Sequence, residues 1–311
     1  MKALIERKFC PSCYSVSHSP LLQQRFDTQW MRFYFKEHYE GRANIEKLFD
    51  FNYELVQCTE CGLIYQKMIP SEQLLMEIYD QWIPQSERER LNSLNTSKDY
   101  SYYAEQVIFI IQYLKLPQSE IKILDFGLGW SEWANMARAF GCSVWGTELS
   151  TIRREYAKSI GISIIDYEDI TQQKFNFINT EQVFEHLTEP RKTLEHIVNA
   201  LEPNGIIKIS VPDIRKIYRK LIKLTEIDSL SLSDIGPIAP LEHINCFEYK
   251  TLVALGEQVG LKPVPFSLSL LYKLYNSASG WLEPKEMARQ VLRPLYRHLY
   301  PKSTFLYFSR K

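Results

Sequence analysis

The sequence predicts an α/β fold with a buried parallel sheet, and three features between residues 121 and 150 carry this prediction. The largely apolar run 121–124 is typical of a strand that is covered on both faces. Gly127 and Gly129 then indicate a tight turn, and apolar residues spaced i, i+3, i+4 and i+7 from Trp133 indicate a helix packed on the sheet. A second short strand ends in Glu148. An acid at this point of a βαβ unit is typical of a site for the ribose of a nucleoside.

The residues of the glycine turn distinguish between classes of nucleoside. A dinucleotide fold needs a third glycine where this chain has Glu132, a negative charge at the position of the pyrophosphate. Here an acid precedes the turn, which reads Asp125-x-Gly127-x-Gly129-x-Ser131. This pattern resembles motif I of the class I S-adenosylmethionine (SAM) methyltransferases, with serine in place of the last glycine. The resemblance implies SAM as the cofactor.

The remaining segments follow in the order that this family shows. Residues 161–166, 175–179 and 206–211 read as the third, fourth and fifth strands, and residues 303–309 read as a final antiparallel edge strand. The resemblance covers roughly residues 95–311 and implies a Rossmann-like, seven-stranded class I methyltransferase sheet. The cofactor-binding residues that it implies are Asp125, Gly127, Gly129, Glu148, Asp166 and Glu181.

A different module precedes this region. Cys10 and Cys13 form one C-x-x-C pair, and Cys58 and Cys61 form a second. Two such pairs predict one tetrahedral site of four cysteines for a structural zinc ion. Two disulfides are the alternative, but the N-terminus lacks the apolar segment of a signal peptide, so we expect a reducing cytoplasm, which favours metal. The segment after Cys61 is similar to an N-terminal zinc-binding segment of methyltransferases associated with sugar, surface-polysaccharide and natural-product biosynthesis.

Length, composition and charge agree with two linked modules. The chain has 311 residues, of which 45% are hydrophobic, enough for a full core and a small additional domain. We predict a zinc-binding module at residues 1–85 and a methyltransferase domain at residues 86–311, in which residues 213–245 form a lid that determines acceptor specificity. The 37 basic and 37 acidic residues cancel, which argues against a nucleic-acid partner. No transmembrane segment is expected.

Two segments are locally basic in this neutral chain. Residues 214–223 predict an amphipathic helix whose polar side carries five lysines and arginines, and the tail 285–311 is also basic. One interpretation is that these segments meet an anionic acceptor, such as a nucleotide-linked or carrier-linked sugar, or an anionic membrane surface. A solvated surface helix is the alternative interpretation of the first segment.

Two histidines are the candidates for catalysis. His186 follows strand four in a segment similar to the Glu-His segment of small-molecule methyltransferases, and Glu242-His243 resembles a segment that lines the acceptor pocket in the same group. Either imidazole could act as a general base, since its ordinary pKa is near neutrality. We favour His243 slightly, because it adjoins the predicted lid. A structural histidine, capping a helix or hydrogen-bonded in the core, is the alternative for each.

A catalytic metal is a further alternative. Some quinone-pathway relatives bind a divalent ion through Glu-x-x-Glu-His after strand four, and this chain has Gln182 in place of the first acid, followed by Glu185 and His186. An amide is a poorer ligand than a carboxylate for a hard cation, so the substitution argues against this site.

The sequence therefore predicts a cytoplasmic, SAM-dependent methyltransferase with a structural zinc. Its expected acceptor is a small or carrier-linked biosynthetic intermediate, with a sugar or related natural product preferred. Within enzymes, a phenolic, polyketide or quinone-type acceptor is the alternative. From another class, the chain could be a catalytically silent subunit with a zinc site and a SAM-binding fold. The oligomeric state stays open.

Overall fold

A computed structural model describes residues 2–83, 97–223, 227–264, 292 and 304–311. The chain divides into two compact units, and the first comprises Met1–Ser93, Gln182–Glu195 and Val211–Val259. The second comprises Leu94–Glu181, His196–Ser210 and Gly260–Lys311. The boundary predicted at residue 85 lies outside the described residues, so the division into residues 1–85 and 86–311 stays a prediction. Most of the basic tail 285–311 also lies outside them.

The secondary-structure elements of the described residues are numbered along the chain. The strands are β1 (Leu4–Glu6), β2 (His18–Arg25), β3 (Asn52–Cys58), β4 (Ile64–Gln66), β5 (Met68–Pro70), β6 (Lys122–Phe126), β7 (Ser143–Thr147), β8 (Ser163–Ile164), β9 (Phe175–Glu181), β10 (Leu201–Val211), β11 (Asn245–Cys246), β12 (Leu261–Pro263) and β13 (Thr304–Arg310). The α-helices are α1 (Gln29–His38), α2 (Glu72–Glu77), α3 (Ser97–Leu114), α4 (Glu132–Ala139), α5 (Thr151–Ser159), α6 (Pro190–Asn199), α7 (Arg215–Leu221), α8 (Leu232–Ile235) and α9 (Tyr249–Gln258).

The first unit contains a four-stranded antiparallel sheet and an aromatic core. The strand order is β11-β4-β3-β2, and β1 pairs separately with β5. Thr28 caps the N-terminus of helix α1. Its hydroxyl accepts a hydrogen bond from the amide of Met31, a helix donor that has no partner within the helix. Large buried rings fill the core of this unit, and they include Phe26, Phe35, Tyr39, Tyr53 and Trp82.

The second unit is built on a seven-stranded mixed sheet in the order β12-β13-β10-β9-β6-β7-β8. The run from β10 to β8 is parallel, and β12 and β13 are antiparallel to each other. This architecture confirms the predicted Rossmann-like α/β fold. It places Asp125 and Asn179 side by side near the carboxyl ends of β6 and β9. Ligands of open α/β sheets bind at this edge.

Three strand predictions need correction. The third strand is only Ser163–Ile164, and the fifth starts at Leu201 rather than at residue 206, with a register shift between Leu201 and Ile206. The last strand was predicted at the sheet edge, but it lies between β10 and β12. The prediction was wrong because β12 has only three residues, Leu261–Pro263, too few for a visible alternation.

A close contact in the second unit fixes the glycine turn on the sheet. Gly146 in β7 faces the side chain of Leu128, and a Cβ at Gly146 would lie 1.8 Å from Leu128 Cδ2. Only glycine permits this approach, so the turn packs directly on the neighbouring strand. Trp133 and Ala137 of α4 are buried in the same core with Ile123 of β6, as the helical spacing predicted. Phe140, predicted on the same face, lies just after the helix and is exposed.

The predicted lid, residues 213–245, contains α7 and α8. Three of its five lysines and arginines are paired with acids of the same segment: Nζ of Lys216 and Nζ of Lys220 lie 3.1 and 2.6 Å from the carboxylate of Asp234, and Nη2 of Arg215 lies 2.5 Å from Oδ2 of Asp213. The hydrogen bond from Lys220, followed by those from Ser231 and Lys216, lowers the pKa of Asp234. Three of the positive charges that suggested an anionic acceptor thus share two carboxylates within the segment, and the anionic acceptor stays a prediction. A search of the described helices finds none of the length and apolarity that a membrane span needs.

Candidate functional site

The glycine turn of the second unit contains three residues with left-handed backbone. Gly127, Gly129 and Ser131 have φ of 76°, 53° and 69°. This conformation is free for glycine and costs an L-residue about 1–2 kcal/mol, which explains why the family motif has glycine where this chain has Ser131. The serine keeps the backbone shape of the motif. Its hydroxyl is buried and has no hydrogen-bond partner among the described residues.

The carboxylate of Glu148 is held against this turn by backbone amides. Gly129 N donates to Oε2 at 3.1 Å, and Leu149 N and Ser150 N each donate to Oε1 at 2.9 Å. A carboxylate has about four acceptor positions, so it can still receive further hydroxyl donors. Beside it, the side chain of Leu149 is 88% exposed and offers an apolar surface. The sequence motif does not include Leu149, and its place directly after Glu148 was the available signal.

Asp125, the acid of the motif, lies buried beneath the turn. Asn179 Nδ2 donates to its Oδ1 at 2.8 Å, and both side chains are almost fully buried. Burial raises the pKa of Asp125 to about 7, although the hydrogen bond from Asn179 opposes the shift. A nearby cationic group would favour the ionised form. The site also carries Glu132 as the first residue of α4, so a negative charge stands at the helix N-terminus, as expected for a ligand without phosphate.

The two remaining predicted cofactor residues have partners of their own in the second unit. Asp166 accepts a hydrogen bond from Arg154 at 2.6 Å, and its side chain is largely exposed. Glu181 pairs with the buried ammonium of Lys208 and accepts from Ser210 Oγ at 3.1 Å. Their role in cofactor binding stays a prediction.

The four cysteines of the first unit form one cluster. Sγ of Cys10 lies 3.6 Å from that of Cys61, and Sγ of Cys13 lies 3.5 Å from that of Cys58. All four sulfur atoms lie within 4.8 Å of one another. A tetrahedral zinc site with Zn–S bonds of about 2.3 Å has sulfur atoms about 3.8 Å apart, so the cluster fits this ion.

The two cysteine pairs have the same backbone turn. Tyr14 N donates to Cys10 O and Gly62 N donates to Cys58 O, both at 3.0 Å, and the two donors have φ of 61° and 77°. The repeated geometry turns both thiols of each pair to one side. The short sulfur contacts connect cysteines of different C-x-x-C pairs, which is the arrangement of a shared ion.

The two candidate histidines meet in the first unit. The rings of His186 and His243 have centroids 4.8 Å apart and an angle of 69° between their planes. Nδ1 of His186 lies 3.0 Å from the carbonyl oxygen of Glu242, which assigns the proton to Nδ1 and leaves Nε2 as an acceptor. The buried carboxylate of Glu185 lies 3.9 Å from this Nε2. Potential metal-ligand atoms of Glu185, His186 and His243 all lie within 4.8 Å of one another. The third potential ligand is thus His243, where the Glu-x-x-Glu-His pattern has an acid.

Burial keeps both imidazoles neutral at neutral pH. It lowers the pKa of His186, and it lowers the pKa of His243 to about 4, with His186 adding to the shift. The adjacent Glu242 carboxylate accepts from Tyr39 at 2.6 Å and lies 2.6 Å from His38 Nε2. Burial works to raise the pKa of Glu242, but these hydrogen bonds bring it below its ordinary value. The arrangement therefore places an ionised acid beside two neutral imidazoles.

A family model described as a methyltransferase domain matches residues 98–265 of this sequence. The chain belongs to this methyltransferase family. The prediction of a SAM-dependent methyltransferase is thereby confirmed for the family and the enzyme class. That match does not extend to the zinc module, and it assigns neither the biosynthetic subgroup nor the role of any single site residue. A search of curated proteins finds no match.

Several solved structures are similar to this chain. A TehB-like SAM-dependent methyltransferase from Corynebacterium glutamicum has 19% identity over 73% of this chain and 95% of its own, with a TM-score of 0.41. The plantazolicin methyltransferase BamL has 14% identity over 76% and 93%, with a TM-score of 0.46. PKMT2 from Rickettsia typhi, in complex with AdoHcy, has 16% identity over 67% of this chain and 54% of its own, with a TM-score of 0.43. The assignment rests on the family match.

Proposed function

We propose that the second unit binds SAM through its glycine turn and that the chain transfers the methyl group to a small biosynthetic acceptor. The observation that carries the proposal is the left-handed turn of Gly127, Gly129 and Ser131, fixed against the carboxylate of Glu148. Bound SAM supplies an electrophilic methyl group on a sulfonium. The ribose hydroxyls would donate to Glu148, and the exposed Leu149 would pack on the adenine.

The cationic character of SAM agrees with the acids at this site. Asp125 and Glu132 lie at the turn and at the start of α4, where they would repel a pyrophosphate. Toward a sulfonium and an ammonium they are favourable instead. The same groups argue against a dinucleotide as the ligand.

Within the first unit, the proposed role of the histidine pair is to take the proton that an oxygen or carbon acceptor loses. Methyl transfer itself depends mainly on proximity and orientation. The sequence favoured His243, but the hydrogen bond at Nδ1 of His186 fixes a tautomer whose Nε2 can accept a proton. Burial lowers the pKa of both histidines, that of His243 to about 4, so the pKa values do not decide between them and the fixed tautomer of His186 does. We therefore propose His186 as the base and His243 as its neighbour in the acceptor site.

For the cysteine cluster we propose one structural zinc ion. The sulfur separations of 3.5 and 3.6 Å between the two pairs support it, and all four cysteines are free thiols. In a reducing cytoplasm, the compartment that we propose, metal binding is the expected state of such thiols.

The acceptor class rests on the resemblance of the segment after Cys61 to the biosynthetic subgroup. We propose a sugar, free or carrier-linked, as the first acceptor to test. Wild-type protein with methyl-labelled SAM should label a nucleotide-linked sugar in a panel that also contains phenolic, polyketide and quinone acceptors. Labelling of one of the latter would assign the alternative acceptor class. Binding of SAM without transfer to any member would favour the silent subunit.

Cofactor binding is tested at Glu148. The Glu148→Ala variant should bind SAM more weakly by about 1.5–3 kcal/mol, because hydrogen bonds to a charged group contribute this much. Isothermal titration calorimetry measures the change, and a thermal melt checks that the variant is folded. Glu155→Ala, a surface acid of α5 paired with Lys158, is the matched control and should bind SAM like the wild type. Unchanged affinity in Glu148→Ala would contradict the proposal.

The pH dependence of turnover follows from the buried histidines. The base must be neutral, and burial lowers the pKa of His186 below its ordinary value of 6.5, against the opposing charge of Glu242. The kcat should therefore be constant from about pH 6.5 to 8 and fall only below that range. Glu185, Glu242, His38 and His243 are the titratable neighbours. An ascending limb above pH 6.5 in a kcat profile would show that neither histidine is the base.

A further inference from the structure

The histidine pair is carried by two segments far apart in sequence. His186 lies in the segment 182–188 that follows β9, and His243 lies in the segment 236–245 that ends in β11. Both segments belong to the first unit, together with the cysteine cluster. The distance and angle between the rings depend on what holds these two segments together.

One side chain from the N-terminal part of the chain bonds to both segments. Arg7 Nη1 donates to Ile244 O at 3.0 Å and to Asn245 Oδ1 at 2.9 Å. Arg7 Nη2 donates to Leu187 O at 3.3 Å and to Thr188 O at 3.0 Å. Two of these acceptors, Leu187 and Ile244, are the residues directly after His186 and His243. Burial lowers the pKa of Arg7 to about 10, so the guanidinium stays charged at neutral pH.

Asn245, in the second of these segments, bonds directly to the first. Its Nδ2 donates to Phe184 O at 2.9 Å and Leu187 O at 2.7 Å, and its backbone amide donates to Glu185 O at 3.0 Å. The side chain of Asn245 is almost fully buried. Arg7 and Asn245 thus bind the backbone on both sides of His186 and fix its place relative to the second segment.

Gln66 holds the second segment from β4. Its Nε2 donates to Ala239 O at 2.8 Å and His243 O at 3.1 Å, and its Oε1 accepts from Leu241 N at 3.1 Å. Leu241 has a φ of 69°, an uncommon backbone conformation for leucine that this buried amide supports. His243 is therefore positioned by Gln66 and Arg7, which lie on β4 and just after β1.

We propose that Arg7 is a positioning residue for methyl transfer, which fixes the geometry of the histidine pair by bonding to both of its segments. The proposal rests on the function proposed for the histidines. A planar guanidinium has five donors in a fixed fork and serves four acceptors in two directions, whereas a lysine ammonium is a single point donor. Because Arg7 precedes Cys10 by three residues, a zinc-bound cluster would also orient it.

The test compares Arg7→Lys and Arg7→Met with the wild type. We expect kcat to fall about ten- to hundredfold in both, since a displacement of about 1 Å near the reacting groups can cost a factor of about 10². SAM affinity, the KM for SAM and zinc content should stay at the wild-type values. NMR spectra of protein labelled with ¹⁵N in histidine should show shifted imidazole signals for His186 and His243, but not for His18.

Arg42→Met is the matched control. Arg42 also belongs to the first unit and donates to the backbone carbonyl of Trp82 at 2.8 Å and to the carboxylate of Glu40 at 3.0 Å. Among the described residues it bonds to neither histidine segment. The control should keep both kcat and the imidazole signals of the wild type.

Several outcomes would overturn the proposal. If Arg7→Lys turns over like the wild type, or loses activity only in proportion to its folded fraction, Arg7 has no positioning role. Unchanged imidazole signals in a folded Arg7 variant would have the same meaning. Failure of the proposed function is distinct: His186→Asn and His243→Asn would then turn over like the wild type, while the imidazole signals would still report the effect of Arg7.

Discussion

Replacing Cys61 or Cys10 with serine should abolish zinc binding and destabilise the first unit by more than about 3 kcal/mol. Binding of a structural zinc contributes about 10–16 kcal/mol in small domains, and most of it is folding free energy. The four thiols lie within 4.8 Å, and loss of one leaves an incomplete tetrahedron. Metal analysis should find about one zinc per wild-type chain and none in the variants, and a thermal melt should show the lower stability.

Cys142→Ala is the control for this prediction. Cys142 is a buried cysteine of the second unit, and burial raises its pKa to about 11, so it stays an inert thiol. The control should keep its zinc. Mass spectrometry that finds Cys10 joined to Cys13 and Cys58 joined to Cys61 in purified protein would contradict the zinc site.

The fold of the second unit was predictable because its signals are local. A strand covered on both faces, a glycine turn and an amphipathic helix each occupy fewer than a dozen consecutive residues, and their order along the chain determines the topology. The prediction was wrong where an element is too short to show a pattern, as with β12, which displaced the last strand from the sheet edge. The segment 201–205 contains proline, asparagine and glycine, which favour turns, but it is part of the strand β10.

Residues of the candidate site were predictable, but their partners were not. Asp125, Glu148 and the cysteines stand in motifs with fixed spacing, so their types and positions carry the information. The amide that bonds to Asp125 is 54 residues away, and Arg7 reaches acceptors 180 to 238 residues away. No local pattern encodes such pairs. The pairing of Lys216 and Lys220 with Asp234 was missed for the same reason, which made residues 214–223 look like a free basic surface.

The lowered pKa values of the two histidines could not be predicted from the sequence either. A histidine in isolation titrates near 6.5, and the sequence predicts a base close to neutrality. Enclosure in the first unit disfavours the imidazolium of both residues. The ordinary pKa was therefore a poor guide to which histidine is the stronger base, and the hydrogen bond at Nδ1 of His186 is the more informative feature.

His186→Asn should lower kcat about 10²–10⁴-fold, the usual contribution of a general base, and leave SAM affinity within about threefold. The asparagine amide can still donate to the carbonyl of Glu242, as His186 Nδ1 does at 3.0 Å, but it cannot take up a proton. His243→Asn should have a smaller effect on kcat, because His243 is the proposed neighbour of the base and does not itself take up the proton. Steady-state kinetics with the acceptor identified by labelling, together with SAM calorimetry, separates the two effects.

His18→Asn is the control, since His18 lies on β2 and Nδ1 of its ring lies 3.1 Å from the carbonyl oxygen of Val16, two residues before it. It should turn over like the wild type. If both His186→Asn and His243→Asn also turn over normally, proximity and orientation alone drive the transfer, and neither histidine is catalytic. If instead a chelator abolishes wild-type turnover without removing the cysteine-bound zinc, and a divalent ion restores it, Glu185 and the two histidines act as metal ligands. A base mechanism requires that wild-type turnover persists in the chelator and that the loss in His186→Asn exceeds the loss in His243→Asn.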